Sequence, residues 1–153
     1  LKLVLRSIVA NRPLAILLLA VICTFFGGGM MNVLLFIFVD AYLGLGDKFV
    51  LAYMISFSTS LLFIKIWYHT ANRCGIQATW VLAITVMCIG ITGVGLLSPD
   101  DSDFTSLLLS IVLVLGGSAA ISITAPSLLS NIADYGIWKF GTDRSATYFS
   151  LYT

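Results

Sequence analysis

The residues best suited to chemistry lie in one polar stretch, 131–144, between two apolar runs. This stretch contains Asp134, Lys139, Asp143 and Arg144 among glycines and aromatic residues. Opposite charges at such short spacing can form ion pairs that break and re-form, because an exposed pair contributes only about 0–1 kcal/mol. The pattern is typical of an ordered loop at a membrane surface.

A second set of polar residues lies inside the apolar runs. Ser122 and Thr124 are followed by Pro126, which removes one backbone hydrogen bond and predicts a helix kink. The two hydroxyls could re-satisfy the backbone locally, or they could line an aqueous cavity that holds a polar solute. Asn32 leaves the same choice between an interhelical hydrogen bond and a cavity wall.

Glycines occur within the same apolar runs. The triplet at 27–29 and the cluster of Gly90, Gly93 and Gly95 place small residues on helix faces, which favours close helix packing. The alternative for the triplet is a flexible point in a moving helix. Gly136 and Gly141 are expected to supply turn conformations with positive φ.

Other kinds of chemistry find no support in the sequence. It has no nucleophile elbow, phosphate-binding loop, His-Glu-x-x-His motif or carboxylate pair spaced for acid and base catalysis, so we do not expect an enzyme. Cys23, Cys74 and Cys88 are isolated and His69 is the single histidine, so neither a metal nor a cofactor is predicted. A net charge of +1 without a basic patch argues against nucleic-acid binding.

The composition of the chain predicts the secondary-structure elements on which these polar residues lie. The chain is 59% hydrophobic and 10% charged with a mean hydropathy of +1.06, which predicts an all-α integral membrane protein. We interpret 1–153 as one partial transmembrane bundle. Its predicted segments are helices at about 13–43, 49–68, 77–98 and 104–133, a cytoplasmic loop at 134–144 and a helix start at 145–153.

The distribution of Lys and Arg predicts the orientation. With four spans, every Lys and Arg except Lys48 falls on one side of the membrane, and that side is therefore cytoplasmic. The loop at 99–103 then faces outward. We expect a multi-pass protein of a cell membrane, with a bacterial inner membrane as the favoured location and the lipid bilayer as its surroundings.

The stretch from Ala133 to Arg144 resembles the loop after the tenth helix of the glycoside-pentoside-hexuronide:cation symporters. These are melibiose-carrier-like sugar transporters of the major facilitator superfamily. The family pattern is approximately Ala-Asp-x-x-Asp-Tyr-Gly-Glu-Trp-Lys-x-Gly-x-Arg. The matching residues are Asp134, Tyr135, Gly136, Trp138, Lys139, Gly141 and Arg144, whereas Ile137 and Asn131 stand where the family commonly has acids.

Two further segments keep the family's order. Asn11-Arg12-Pro13-Leu14 is similar to the segment that opens helix seven, and Arg73-Cys74-Gly75 to the loop that joins helices eight and nine. Ile123 stands where the melibiose carrier has an aromatic residue in its sugar pocket. The resemblance thus implies the C-terminal half of a major facilitator transporter, with helices seven to ten and the start of helix eleven.

The resemblance implies a cation-coupled symporter of a sugar or glycoside that works by alternating access. An uncoupled or exchange facilitator of another small polar solute, or a channel-like protein, is the alternative. The coupling cation, sodium or a proton, is expected to bind acids in the remainder of the chain, which would also be this segment's partner. We further interpret Asp134, Arg144, Lys139 and Arg73 as a cytoplasmic gate; the alternative is that their charges only anchor a loop at the headgroups.

Overall fold

A computed structural model describes residues 11–99, 103–141, 143 and 145–152, and every regular element in that part of the chain is helical. We label the α-helices α1 to α5 in chain order. They are α1 (Arg12–Ile37), continued by a π-helical turn (Phe38–Tyr42), then α2 (Gly46–Cys74), α3 (Ile76–Gly95), α4 (Phe104–Phe140) and α5 (Ser145–Tyr152). The predicted all-α class is confirmed.

Four of these segments are long and apolar enough to cross a bilayer. They are Arg12–Tyr42, Gly46–Cys74, Ile76–Gly95 and Phe104–Phe140. A hydrocarbon core of about 30 Å needs roughly 20 helical residues. The 37 residues of α4 therefore exceed a straight perpendicular crossing by about 25 Å at 1.5 Å per residue.

Two helices extend further than the apolar pattern predicts. α2 continues from the predicted end at 68 to Cys74, and α4 continues from 133 to Phe140, so much of the predicted loop 134–144 is helical. Each helix ends at a glycine with positive φ, Gly75 at 86° and Gly141 at 67°. A fall in hydropathy indicates where a helix leaves the hydrocarbon core of the bilayer, whereas a glycine in the left-handed conformation indicates where the helix ends.

Residues 29–124 form one compact unit with two apolar clusters. The larger contains Leu35, Val39, Leu43, Ala52, Val94, Leu107 and Ile111. The smaller is built from Trp67, Ala83 and Ala120, with Phe63 and Ile123 among the residues packed against it. The buried Trp67 indole N–H donates to the Gly116 carbonyl at 2.6 Å, which joins α2 to α4.

Glycines allow α3 and α4 to pack closely within this unit. A Cβ on Gly90 would lie 2.8 Å from the Ser110 carbonyl oxygen and from Val114. A Cβ on Gly117 would lie 2.7 Å from the Ala83 carbonyl oxygen. These backbone contacts leave no room for a side chain, so the packing interpretation is correct for Gly90, and Gly117 is a further close contact that the interpretation did not include.

The second compact unit comprises residues 1–28 with 125–153. Its buried side chains in the described part are Asn11, Leu14, Leu17, Val21, Ala125, Leu129, Ala133 and Tyr148. The buried positions that lie on α1 and α4 recur at three- or four-residue intervals, as expected for helices that bury one face. Five charged residues of the sequence lie outside the described residues: Lys2, Arg6, Asp100, Asp101 and Arg144.

Candidate functional site

The end of α4 carries a group of aromatic residues and one cation. The rings of Tyr135 and Trp138 lie 6.0 Å apart, and Trp138 is 81% exposed. The Lys139 ammonium lies 5.5 Å from the ring centroids of both Tyr135 and Phe140. Cation–π contacts of this length hold the amine beside the rings at the helix end, an arrangement suited to a membrane interface.

The predicted gate residues are placed only in part. Asp134 is exposed on α4, and the contacts that the structure gives Lys139 are with rings. Arg73 is exposed near the end of α2, in the unit 29–124, and Arg144 lies outside the described residues. An ionic gate among these four residues therefore stays a prediction.

In the polar stretch 131–144, Asp143 is an acid with a defined structural partner. Its Oδ1 accepts hydrogen bonds from the Ser145 hydroxyl at 2.6 Å and from the Ser145 backbone N–H at 2.9 Å. The side-chain hydrogen bond, followed by the backbone one, lowers the pKa of Asp143 below 3.8. The ionised carboxylate thus satisfies a backbone donor at the start of α5.

Gly136 does not have the turn conformation with positive φ that was predicted for it. It lies inside α4 and is buried, and the positive-φ glycines of the described residues are Gly44, Gly75 and Gly141. A Cβ on Gly136 would lie 3.1 Å from a ring carbon of Tyr148 and 3.5 Å from the Asn11 amide nitrogen. Close packing, rather than a turn, is what requires glycine here, and the positive-φ prediction is correct for Gly141 but wrong for Gly136.

The candidate cavity residues lie in different environments. The Tyr53 hydroxyl donates to the Asn32 side-chain oxygen at 3.5 Å, a long contact between α1 and α2. Ser122 is exposed, whereas Thr124 is 1% exposed and its hydroxyl donates to the Ala120 carbonyl at 2.8 Å. Asn32 and Ser122 are thus exposed, whereas Thr124 is buried and satisfies its own helix, and a role for any of them in lining a solute cavity stays a prediction.

Pro126 lies within α4, which continues as helix on both sides of it. Because proline has no N–H, the Ser122 carbonyl loses its usual helical donor. A bend at this point stays a prediction.

Sequence reasoning missed the roles of Tyr53, Trp67 and Asn11. Asn11 is fully buried, and neither polar atom of its amide has a hydrogen-bond partner among residues 11–99, 103–141, 143 and 145–152. The position of Trp67 near the end of an apolar run predicts an aromatic residue at the membrane interface, yet the side chain is buried against α4. A signal was present in the helical spacing, since Trp67 shares a face with the small residues Ala52, Ser56 and Ser60.

These features together define an integral, multi-pass, all-α membrane protein. The chain belongs to the family described as MFS/sugar transport protein, which matches residues 3–153. This is a family of transport proteins, and the prediction that the chain is not an enzyme is confirmed.

A protein of Escherichia coli (strain K12), named as a candidate exporter of 2,3-dihydroxypropane-1-sulfonate, is 28% identical over 152 residues. The aligned segment covers 97% of this chain and 32% of that relative, so the chain spans about a third of the relative's length. No solved structure matches the chain.

Proposed function

We propose that the full-length protein carrying this chain moves a sugar or glycoside across a cell membrane by alternating access. The observation that carries this proposal is the family match over 3–153, on a chain with four candidate membrane spans. In such transporters the solute binds near mid-membrane, where the helical repeats meet. This chain would supply the C-terminal half, helices seven to ten and the start of helix eleven.

The coupling cation, sodium or a proton, would bind in the remainder of the protein. The acids on the described parts of the long helices are Asp40, Asp47 and Asp134, and each lies near a helix end. A buried cation site in a bilayer needs acids or clustered carbonyls at depth, because an uncompensated ion in hydrocarbon is costly. This placement supports a cation site elsewhere in the protein.

Transport by the full-length protein in proteoliposomes tests the proposal. A labelled glycoside should accumulate when an inward sodium or proton gradient is imposed, and collapse of the gradient should release it. Equilibration without accumulation would instead indicate the uncoupled facilitator. If no sugar or glycoside in a tested panel shows saturable uptake, the proposed substrate class would be contradicted.

A second candidate is export of a small hydroxylated organic anion. The name of the Escherichia coli relative is the observation that favours it. Counterflow distinguishes the two candidates, because only a true substrate inside the vesicle drives uptake of label. Stronger counterflow with 2,3-dihydroxypropane-1-sulfonate than with any glycoside would favour the anion.

We also propose that Asp134 is the carboxylate of a reversible cytoplasmic gate, with Arg144, Lys139 and Arg73 as its candidate partners. Its exposure on α4 supports this role, since the carboxylate is accessible to a partner. An exposed pair contributes about 0–1 kcal/mol, which a transport cycle can break at each turn.

Substitution at Asp134 in the full-length protein tests the gate. Because the pair is weak, Asp134→Asn should change the transport rate by up to about fivefold, and the exchange of charges in Asp134→Arg with Arg144→Asp should restore it. Asp47→Asn, in the first turn of α2, is the matched control. An unchanged rate in Asp134→Asn would leave the charges as headgroup anchors only.

A further inference from the structure

One face of α2 carries three nitrogen-containing side chains in a row. Lys65, His69 and Arg73 follow one another at four-residue intervals, and all three are exposed. On an α-helix such residues lie almost above one another, and the row spans about 12 Å at 1.5 Å per residue. We call these three residues the basic row.

The basic row faces away from the other described helices of its unit. The buried residues of α2 are Ala52, Ser56, Ser60 and Trp67. At 100° per residue, Lys65 points about 180° from that buried face, and Arg73 about 100° from it. Packing among the described helices therefore leaves the row uncovered.

The length of α2 sets the depth of the row in the bilayer. Its 29 residues span about 43 Å, which exceeds the hydrocarbon core by about 13 Å. Measured from Lys48 at the opposite end, Lys65 lies about 25 Å and Arg73 about 37 Å along the axis. The row therefore crosses from the edge of the hydrocarbon into the headgroup layer, and the distribution of Lys and Arg assigns that layer to the cytoplasmic leaflet.

A surface groove of about 820 Å³ runs along this face. The basic row lines it together with Leu62, Ile66 and Thr70, and its described lining contains no acidic residue. Leu62 is 70% exposed and lies on the membrane side of the row. The groove thus joins an apolar wall to a line of hydrogen-bond donors at the depth of a lipid phosphate.

We propose that the basic row binds an anionic phospholipid of the cytoplasmic leaflet. The Lys65 ammonium and the Arg73 guanidinium would hold the phosphodiester oxygens, with a ring N–H of His69 donating between them. An acyl chain would lie along Leu62 and Ile66. The apolar wall and the depth favour a lipid over a free anion, since a soluble phosphate would gain nothing from that wall.

Native mass spectrometry of the full-length protein tests this site. The protein is reconstituted with phosphatidylglycerol and phosphatidylcholine in equal amounts, and the lipid retained on extraction is counted. Affinity for phosphatidylglycerol should fall about fivefold for each cation removed in Lys65→Gln and Arg73→Gln. Lys48→Gln, on the other end of the same helix, removes the same charge as Lys65→Gln and should leave retention unchanged.

Three results would overturn the proposal. One is equal retention of phosphatidylglycerol by the native protein and the double variant. Another is displacement of the lipid by excess inorganic phosphate, which would identify a free-anion site. The third is loss of thermal stability in both single variants with lipid retention intact, which would show that the remainder of the chain covers the row. Because each single variant is read separately, misfolding of the double variant does not remove the test.

Discussion

Two groups of glycines occur in apolar helices of this chain and behave differently. Gly90 and Gly117 lie against backbone atoms of a neighbouring helix, and a Cβ on either would fall within 2.8 Å of them. Among the described residues, no neighbouring atom lies within 4 Å of a Cβ added to Gly27, Gly28 or Gly29. The sequence context is similar, since both groups interrupt long runs of Leu, Ile and Val.

The difference teaches that a glycine in a membrane helix does not by itself report packing. At 90 and 117 the absence of a side chain determines how close α3 and α4 can approach. At 27–29 no neighbour in the described part of the chain requires glycine, so these residues remain available for a flexible point or for a partner surface in the remainder of the protein. The two groups should therefore respond differently to the same substitution.

The largest effect is expected for Gly90→Ala. The new methyl group would meet the Ser110 carbonyl oxygen and Val114 at 2.8 Å, and a backbone atom cannot rotate away as a side chain can. Overpacking of this kind destabilises a core by about 1–3 kcal/mol. The apparent Tm of the full-length protein in detergent should fall, and an unchanged Tm would contradict the close α3–α4 contact.

A somewhat smaller effect is expected for Trp67→Phe, which tests the contact between α2 and α4 independently of glycine. The change removes the 2.6 Å indole donor from the Gly116 carbonyl, which keeps its backbone partner within α4, at a cost of about 0.5–1.5 kcal/mol. Tyr68→Phe is the matched control, because Tyr68 is the next residue along α2 and its side chain is 60% exposed. Equal Tm values for the two variants would argue against the Trp67 hydrogen bond.

Gly28→Ala is the counterpart of Gly90→Ala and should have the opposite sign or no effect. An added Cβ meets no described atom within 4 Å, and alanine favours an exposed helix by about 1 kcal/mol over glycine. We expect the Tm to stay constant or rise slightly. Lower transport with an unchanged Tm would indicate that the triplet serves as a flexible point, and a lower Tm would show that another surface packs there.

The smallest effect concerns Asp143, outside the membrane spans. Its pKa in the folded protein is lowered by Ser145, so ionisation stabilises the start of α5 at every pH above the ordinary value of 3.8. That contribution is lost only as the pH falls through the lowered folded value. Asp143→Ala should therefore speed hydrogen exchange in Ser145–Tyr152 at neutral pH, whereas the native protein should show no change of stability across the neutral range.

Much of the architecture could be predicted from the sequence. The four apolar runs, the all-α class and the helix start near 145 follow from hydropathy and from the turn residues, because a bilayer admits few other solutions. Gly141 could also be assigned to a turn, since it follows the last apolar residue of α4. The extension of α4 to Phe140 could not, because polar and aromatic residues at an interface are compatible with either helix or loop.

The candidate sites depend more heavily on tertiary structure. The sequence alone determined which side chains are polar, where they lie along each helix and that Lys65, His69 and Arg73 share one face. Only the tertiary structure decided that Thr124 is buried, that Gly136 lies against Tyr148, and that Trp67 is buried. The physical reason is that helical periodicity defines a residue's direction from its own axis, whereas its neighbours depend on which other helix occupies that direction.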